Sequence, residues 1–486
     1  MAGSISEDPV AEEHELTRAL GPWQLIALGI GAIIGTGIFV ITGHAAATYA
    51  GPGVVISFVI AGIGCLFAGL CYAEYASMIP VAGSAYTYTY ATMGKFLAWI
   101  IGWNLVLEYL AAASTVAVGW SGYFNALLGE FGLHVPGAFA SAPYTYIEGH
   151  GIVATGGIAN FLAMGIIIAI STLLIVGIRL SAQFNTAMVA LKLTIVVLVI
   201  AFGLPLIKAV NLHPFIPPNT GVWGTLGWSG VLRATGVIFF AYIGFDAVSV
   251  AAQESKNPQR DMPIGILGSL LICTVLYILM SLTMTGLAPY TMLNVPHPVY
   301  VAIHNAGPSL AWLGFAVDVG AVVGLASVVL VLLLGQSRIF YAMSKDGLVP
   351  PFFSKIHPSF RTPYIGTMVT GVFAAALAAV VPLDILGELV SIGTLAAFVI
   401  VCLGIMILRI SAPRARRPFR TPFVWLVAPA GMIMCGAMMY WLPGLTWLRF
   451  VVWIIVGVVI YFGYSIRHAK PPRWVIEKNP APQPAE

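Results

Sequence analysis

The sequence predicts an all-α polytopic membrane protein with about 12 transmembrane helices, and three observations support this prediction. Hydrophobic residues make up 59% of the 486 residues and charged residues only 8%, with a mean hydropathy of +0.94. Apolar runs long enough to cross a bilayer recur along the whole chain. Two of these runs are interrupted by glycine in matching places of two halves of the chain, a pattern typical of secondary transporters.

The predicted spans follow one another with short polar connections. Their approximate bounds are 22–48, 52–79, 96–128, 152–177, 183–206, 229–252, 263–287, 309–342, 364–381, 384–409, 422–442 and 446–466. If both termini are cytoplasmic, most Lys and Arg residues lie on the cytoplasmic side, and only Lys208 and Arg449 lie outside. This asymmetry agrees with the positive-inside rule and predicts that both ends face the cytoplasm.

The broken spans, 1 and 6, each begin a unit of five spans, and the two units have opposite orientations in the membrane. An inverted repeat requires this relation. The predicted organisation is a cytoplasmic tail at 1–20, a transport core at 21–410 with repeats at 21–206 and 229–410, two additional helices at 411–467, and a cytoplasmic tail at 468–486.

The first break contains Gly35, Thr36 and Gly37, three residues with little side-chain bulk. An interrupted helix frees N–H groups that can bind a substrate carboxylate and carbonyl groups that can bind a substrate ammonium. This geometry selects the backbone of an α-amino acid. The alternative is that glycines such as Gly31 and Gly35 only let helices pack closely.

The second break lies at residues 241–244, between Phe240 and Phe245. These large apolar rings can close a pocket or contact a substrate side chain. Asp246 follows directly, and two interpretations remain open for it: a ligand for a proton or cation, or a cap at the start of the resumed helix.

Lys192 and Glu108 lie too deep in their spans to be interface residues. Lys192 is about nine residues, or roughly 13 Å at helical rise, past the start of span 5 near Gln183. A lysine that can lose its proton there can couple proton movement to transport; alternatively, it is a permanently charged group tying span 5 to the carbonyls of span 1. Glu108, in the middle of span 3, is interpreted as a proton relay, as a partner for a cationic substrate, or as a neutral structural carboxyl.

Four further charged residues are assigned no role, because they lie near predicted span ends, where charge costs little. They are Arg233, Asp318, Asp384 and Glu388. The polar loop at 253–260 is interpreted as a solvated or gate-forming cytoplasmic segment.

Five stretches carry a resemblance to a known family. They are GAIIGTGIFV (31–40), GSAYTYTYATMG (83–94), GWNLVLEY (102–109), FFAYIGFDAVSVAAQESKNPQRDMPIGI (239–266) and GQSRIFYAMSKDGLVP (335–350). Over most of residues 20–465 the chain resembles the amino acid, polyamine and organocation transporter superfamily, and within it the cationic amino acid transporter family. The resemblance implies two inverted five-helix repeats with two extra helices, working by alternating access.

The resemblance also implies roles for individual residues. The substrate backbone is expected at Ile33, Gly35, Thr36, Gly37, Phe240, Ala241 and Ile243. Lys192 matches the span 5 lysine that, in proton-using prokaryotic relatives, takes the place of a bound sodium ion. Residues 325–327 in span 8 are expected to shape the side-chain end of the pocket. Because the only deep acids are Glu108 and Asp246, neutral substrates are at least as well supported as cationic ones.

The leading hypothesis is a proton-coupled amino acid symporter of the inner or plasma membrane. An exchanger or uncoupled facilitator is the alternative; an amino acid sensor is disfavoured because neither tail is long enough to form a cytoplasmic domain. An enzyme is disfavoured because the chain has no HExxH or GxSxG motif. The expected partners are an amino acid, protons and membrane lipids, with no nucleic acid, cofactor or metal; a small membrane subunit is left open.

Overall fold

A computed structural model describes residues 20–78, 84–147, 151–176, 182–246, 248–249, 255–360 and 362–470. Nearly all regular structure in this part of the chain is helical, because the apolar runs can satisfy their backbone groups within a membrane only as helices. The helices of the first half are α1 (Pro22–Ile33), α2 (Thr42–Ala45), α3 (Val54–Met78), α4 (Ser84–Thr92), α5 (Lys95–Glu130), α6 (Gly137–Ala140), α7 (Phe161–Val176) and α8 (Ala182–Gly203). The helices of the second half are α9 (Gly227–Ile238), α10 (Pro258–Leu287), α11 (Pro298–Ala306), α12 (Ala311–Lys345), α13 (Tyr364–Val380), α14 (Leu383–Ser411), α15 (Val424–Trp441), α16 (Gly444–Ile460) and α17 (Ile466–His468).

The helices confirm a polytopic membrane protein. In the described residues, 8 helical runs are long and apolar enough to cross a membrane, and three shorter apolar helices lie at Pro22–Ile33, Phe161–Val176 and Tyr364–Val380. One long run, Gly37–Met78, is interrupted at Gly51, where φ is +58° and a bulkier residue would be strained. The count of twelve spans and the inverted repeat remain predictions.

One predicted boundary is wrong. Residues 151–154 do not begin span 4; they form the second strand of an antiparallel hairpin between β1 (Tyr144–Ile147) and β2 (Gly151–Ala154). The helix begins only at Phe161 because Gly156, with φ +80°, turns the chain before it. The all-helical prediction therefore missed this small surface sheet.

Two central helices, α5 and α10, organise the packing. The long helix α5 lies against α12 and α14, and α10 lies against α1 and α3. Their contact faces merge into one continuous buried hydrophobic cluster. The interrupted regions of spans 1 and 6 lie within this cluster, so irregular backbone occurs where protein covers it and not where lipid would. Most of the predicted tails at 1–20 and 468–486, and residues 253 and 254 of the predicted polar loop at 253–260, fall outside the described residues.

Candidate functional site

The first break lies where the glycine pattern predicts it. Helix α1 ends at Ile33, and Ile34 is extended, with φ −72° and ψ 102°. The chain resumes as a π-helix at Gly37–Ile41 and continues helically to Ala50. The first turn of a resumed helix leaves N–H groups without intrahelical partners, so this segment (residues 37–50) presents donors beside the break.

The second break has the same form. Helix α9 ends at Ile238 and continues as a 3₁₀ turn, Phe239–Tyr242. Ile243 is then extended, with ψ 136°, and Gly244 has φ +117°, a conformation that side chains other than glycine rarely adopt. The predicted interruption at 241–244 is thus present in the backbone.

The two breaks touch each other. A Cβ placed on Gly37 would lie 2.3 Å from the Cα of Ala241, and one on Gly244 would lie 2.7 Å from the carbonyl oxygen of Ala32. Neither position has room for a methyl group, because the obstacle in both cases is backbone. These glycines allow the two interrupted helices to approach closely. Close helix packing and a substrate site at Gly37 are therefore compatible interpretations.

Tyr277 of α10 joins the two breaks. Its hydroxyl lies 2.8 Å from the carbonyl oxygen of Ile33 and 2.8 Å from that of Ala241, and it can donate to either. The side chain is fully buried. Sequence reasoning did not select Tyr277, although a lone phenol in the middle of an apolar span is a signal, since its hydroxyl needs a partner there.

Lys192 reaches the first break from α8. Its ammonium donates to the carbonyl oxygens of Gly31 at 2.7 Å and Ile34 at 3.1 Å, and the residue is 2% exposed. Gly324 of α12 leaves room for the lysine stem, since a Cβ there would lie 2.6 Å from Lys192 Cγ. These are two carbonyls that an intact helix would have used internally, so the ammonium stabilises the interrupted conformation.

The other substrate-site residues expected from the resemblance surround this point. Ile33, Thr36, Phe240, Ala241 and Ile243 are all buried, with exposures between 1% and 9%. The Thr36 hydroxyl has no hydrogen-bond partner among the described residues, and it is therefore free to bind a substrate.

The wall facing the first break is apolar. Val328 of α12 lies 3.6 Å from where a Gly35 Cβ would stand, and Gly119 of α5 lets the methyl group of Thr36 approach closely. A site with backbone polar groups on one side and aliphatic side chains on the other suits a small zwitterion with an apolar side chain.

Glu108 and Asp246 lie together but away from this wall. Both are buried, they interact electrostatically, and Tyr109 interacts with both. Along α5, Glu108 is eleven residues before Gly119, about 16 Å at helical rise. Neither interpretation of Asp246 is excluded, since it lies in a 3₁₀ turn just after Gly244.

Of the four charged residues expected near span ends, where charge costs little, three are buried in the structure. Asp318 is 0% exposed, Arg233 5% and Glu388 6%, while Asp384 is partly exposed. Folding covers them with segments that are distant in sequence. For example, the Thr446 hydroxyl of α16 donates to the Glu388 carboxylate.

The site consists of two contacting helix breaks inside an apolar helical bundle, and a buried lysine binds carbonyls of the first break. This combination defines a secondary membrane transporter. The amino acid permease family profile matches residues 20–467, and the chain belongs to this family. The resemblance inferred from the sequence motifs is thereby confirmed.

Three relatives illustrate the range of the family. The chain is 47% identical over 459 residues to the branched-chain amino acid permease BcaP of Bacillus subtilis (strain 168), covering 94% of this chain and 95% of that protein. It is 45% identical over 459 residues to the methylthioribose transporter of the same organism, covering 94% and 96%. It is 30% identical over 579 residues to cationic amino acid transporter 4 of Mus musculus, covering 94% and 88%.

Proposed function

We propose that this protein imports neutral amino acids across the cell membrane by proton-coupled symport and alternating access. The proposed core is the inverted repeat 21–206 and 229–410, with the helices of 411–467 outside it and both termini cytoplasmic. The substrate carboxylate binds N–H groups at Gly35, Thr36 and Gly37. The substrate ammonium binds carbonyls around Ile33 and the second break, at Phe240, Ala241 and Ile243.

The observation that carries the proposal is the contact of Lys192 with the carbonyls of Gly31 and Ile34. An ammonium in this place supplies the positive charge that holds the first break open, and removing its proton weakens both hydrogen bonds. Because the substrate binds the same interrupted backbone, the protonation state of Lys192 is linked to the conformational change of the first break after the substrate has bound.

The choice of neutral substrates rests on where the acids lie. Val328 of α12 faces the first break at Gly35, whereas Glu108 is about 16 Å away along α5. A cationic side chain at the apolar wall would remain unpaired at a cost of several kcal/mol. Glu108 and Asp246 are therefore proposed as a proton relay on the cytoplasmic side, not as partners of the substrate.

The two bacterial relatives bear on the substrate class in different ways. One is named for branched-chain amino acids and the other for methylthioribose, a sugar without carboxylate or ammonium. The interrupted helices offer both N–H donors and carbonyl acceptors, which favours a zwitterion.

Uptake by proteoliposomes of the purified full-length protein tests the proposal. The substrates are radiolabelled branched-chain, small neutral and cationic amino acids and methylthioribose, each with and without an inward proton gradient. The expected result is accumulation of neutral amino acids above equilibrium, only with the gradient. Equilibration without accumulation would favour a facilitator, and exchange without net uptake would favour an exchanger. Accumulation of methylthioribose alone would contradict the substrate class.

A further inference from the structure

Asp318 of α12 is a fully buried carboxyl group without a hydrogen bond. Both side-chain oxygens lack a partner among the described residues, and the residue is 0% exposed. An ionised carboxylate in this state costs several kcal/mol, and such a group must be neutralised or paired. The contrast is Glu74, also 0% exposed, whose carboxylate lies 2.8 Å from Arg409 and 3.2 Å from Arg417.

The position of Asp318 is on the outer side of the substrate site in the proposed topology. On α12 it precedes Val328, which faces the first break, by ten residues, about 15 Å at helical rise. One turn further along the helix, the indole of Trp120 donates to the Val322 carbonyl at 2.9 Å and fixes α5 against this part of α12. Asp318 is thus fixed in the interface of two core helices.

Titratable groups link Asp318 to the surface. The Tyr300 ring of α11 packs on α12 at Gly314, one turn before Asp318, and it interacts electrostatically with the Asp318 carboxyl. The Tyr300 hydroxyl donates to the exposed carboxylate of Glu130 at 2.9 Å, and Glu130 also interacts with Asp318. The exposed Glu130, the hydrogen-bonded Tyr300 and the buried Asp318 therefore form a cluster of interacting groups that extends from the surface to Asp318.

A second link runs from Asp318 inward. Tyr123 of α5 interacts electrostatically with Asp318, and its hydroxyl donates to the carbonyl of Phe39 at 2.7 Å. Phe39 belongs to the π-helix that resumes span 1 after the break. Through Tyr123, Asp318 is therefore connected to the resumed helix, which begins at Gly37, one of the three proposed carboxylate-binding residues.

The occupant that fits Asp318 is a proton. Asp318 interacts electrostatically with Tyr123 and Glu130 on α5 and with Tyr300 on α11. Two histidines pack behind these tyrosines: His297 on the Tyr123 ring and His304 on the Tyr300 ring. Lys192 on α8 is turned to the first break. Burial lowers the pKa of His297, so its imidazole is neutral near neutral pH and supplies no cation. No group of three His, Cys, Asp or Glu residues in the described ranges could hold a metal ion. A proton, unlike a metal ion or a molecule, needs only one carboxyl oxygen to bind and no cavity to occupy.

We infer that Asp318 is the outer binding site for the transported proton, which reaches it from the side of Tyr300 and Glu130 before the substrate site opens inward. This assignment rests on the proposed proton-coupled function. A proton binds the Asp318 carboxylate to give the neutral acid, and release of the same proton restores the carboxylate, so charge and atoms balance. The neutral acid no longer repels the electron-rich phenol oxygen of Tyr123 and leaves the resumed half of span 1 free to close.

The test is uptake by proteoliposomes as a function of external pH, from about pH 5 to about pH 8, the range in which buried carboxyl groups titrate. The variant Asp318→Asn fixes the neutral state. We expect it to lose the dependence of uptake on external pH and to reduce gradient-driven accumulation by about tenfold, within the range of typical coupling free energies. Substrate exchange at equal pH on both sides should stay within about twofold. Asp384→Asn, which neutralises a partly exposed carboxyl in the first turn of α14, is the matched control and should keep the wild-type pH profile.

Two results would overturn the assignment. The first is that both Asp318→Asn and Asp318→Ser keep the wild-type pH profile. The smaller neutral Ser variant is included in case the Asn amide does not fit the site. The second is loss of exchange at equal pH in both variants, which would indicate a structural role. If unmodified protein shows no gradient-driven uptake, the proposed function itself fails, and this outcome is distinct because it does not depend on any variant.

Discussion

The two helix breaks contact each other, but they are held open in different ways. The first break is held by side chains: Lys192 binds the carbonyls of Gly31 and Ile34, and Tyr277 binds that of Ile33. The second break shares the Tyr277 hydroxyl through the Ala241 carbonyl, but no charged group of the described residues binds it there, and its shape is set by backbone geometry, with Gly244 at φ +117° against Ala32. A break held by a charge can respond to a proton, whereas a break fixed by a glycine cannot. We therefore propose that proton coupling acts at the first break, whereas the second break has a fixed backbone conformation that shapes the substrate site.

The largest effect is expected from filling the contact between the breaks. Gly37→Ala would bring a methyl group to 2.3 Å from the Ala241 Cα, and Gly244→Ala would add a strained φ costing about 1–2 kcal/mol. Both variants should lose substrate binding and uptake, measured by radioligand binding and proteoliposome flux. Gly436→Ala in α15, where nothing lies within 4 Å, is the control and should transport normally. Normal transport by Gly37→Ala would contradict the close contact.

The next effect concerns the charge at the first break alone. Lys192→Ala should leave substrate binding within about threefold but abolish uptake driven by a pH gradient, because the group that links protonation to the break is gone. Binding is measured by scintillation proximity and uptake in proteoliposomes. Lys208→Ala removes an exposed lysine that bonds the Asn305 carbonyl, and it should leave both unchanged. Unchanged pH-driven uptake in Lys192→Ala would refute its coupling role.

A smaller effect is expected from the hydroxyl that joins the breaks. Tyr277→Phe removes one hydrogen bond and leaves a buried carbonyl less satisfied, a loss of about 1–2 kcal/mol. We expect a lower melting temperature and a several-fold slower uptake with the pH dependence retained. Tyr440→Phe, at a 75% exposed position, serves as the matched control. A loss of pH dependence in Tyr277→Phe would mean that Tyr277 takes part in proton coupling and is not only a structural link between the breaks.

The smallest effect is expected for Glu108 on substrate affinity. Since Glu108 is about 16 Å along α5 from the level of Thr36, Glu108→Gln should change the KM for neutral amino acids by less than about twofold. As a proton relay, it should still slow gradient-driven uptake several-fold relative to exchange. Asp384→Asn is again the comparison. A large increase in KM with no change in pH dependence would instead make Glu108 a substrate contact.

Local features of the site could be predicted from the sequence, but contacts between distant segments could not. Gly35–Gly37 and residues 241–244 reveal the breaks, because an interrupted helix at membrane depth is stable only where protein or a cavity covers it. The depth of Lys192 also follows from counting residues along its span. The burial of Asp318 does not, because it depends on Tyr300 and Tyr123 from other helices. The same applies to Glu388, which Thr446 covers from α16.

Proton movement that accompanies substrate entry tests the central claim most directly. Proteoliposomes loaded with a pH-sensitive dye, at equal pH and zero membrane potential, receive an external branched-chain amino acid while uptake of the labelled substrate is followed in parallel. The account predicts internal acidification that begins with substrate addition, follows its uptake and is absent in Lys192→Ala. Substrate entry without acidification in the unmodified protein would contradict proton symport.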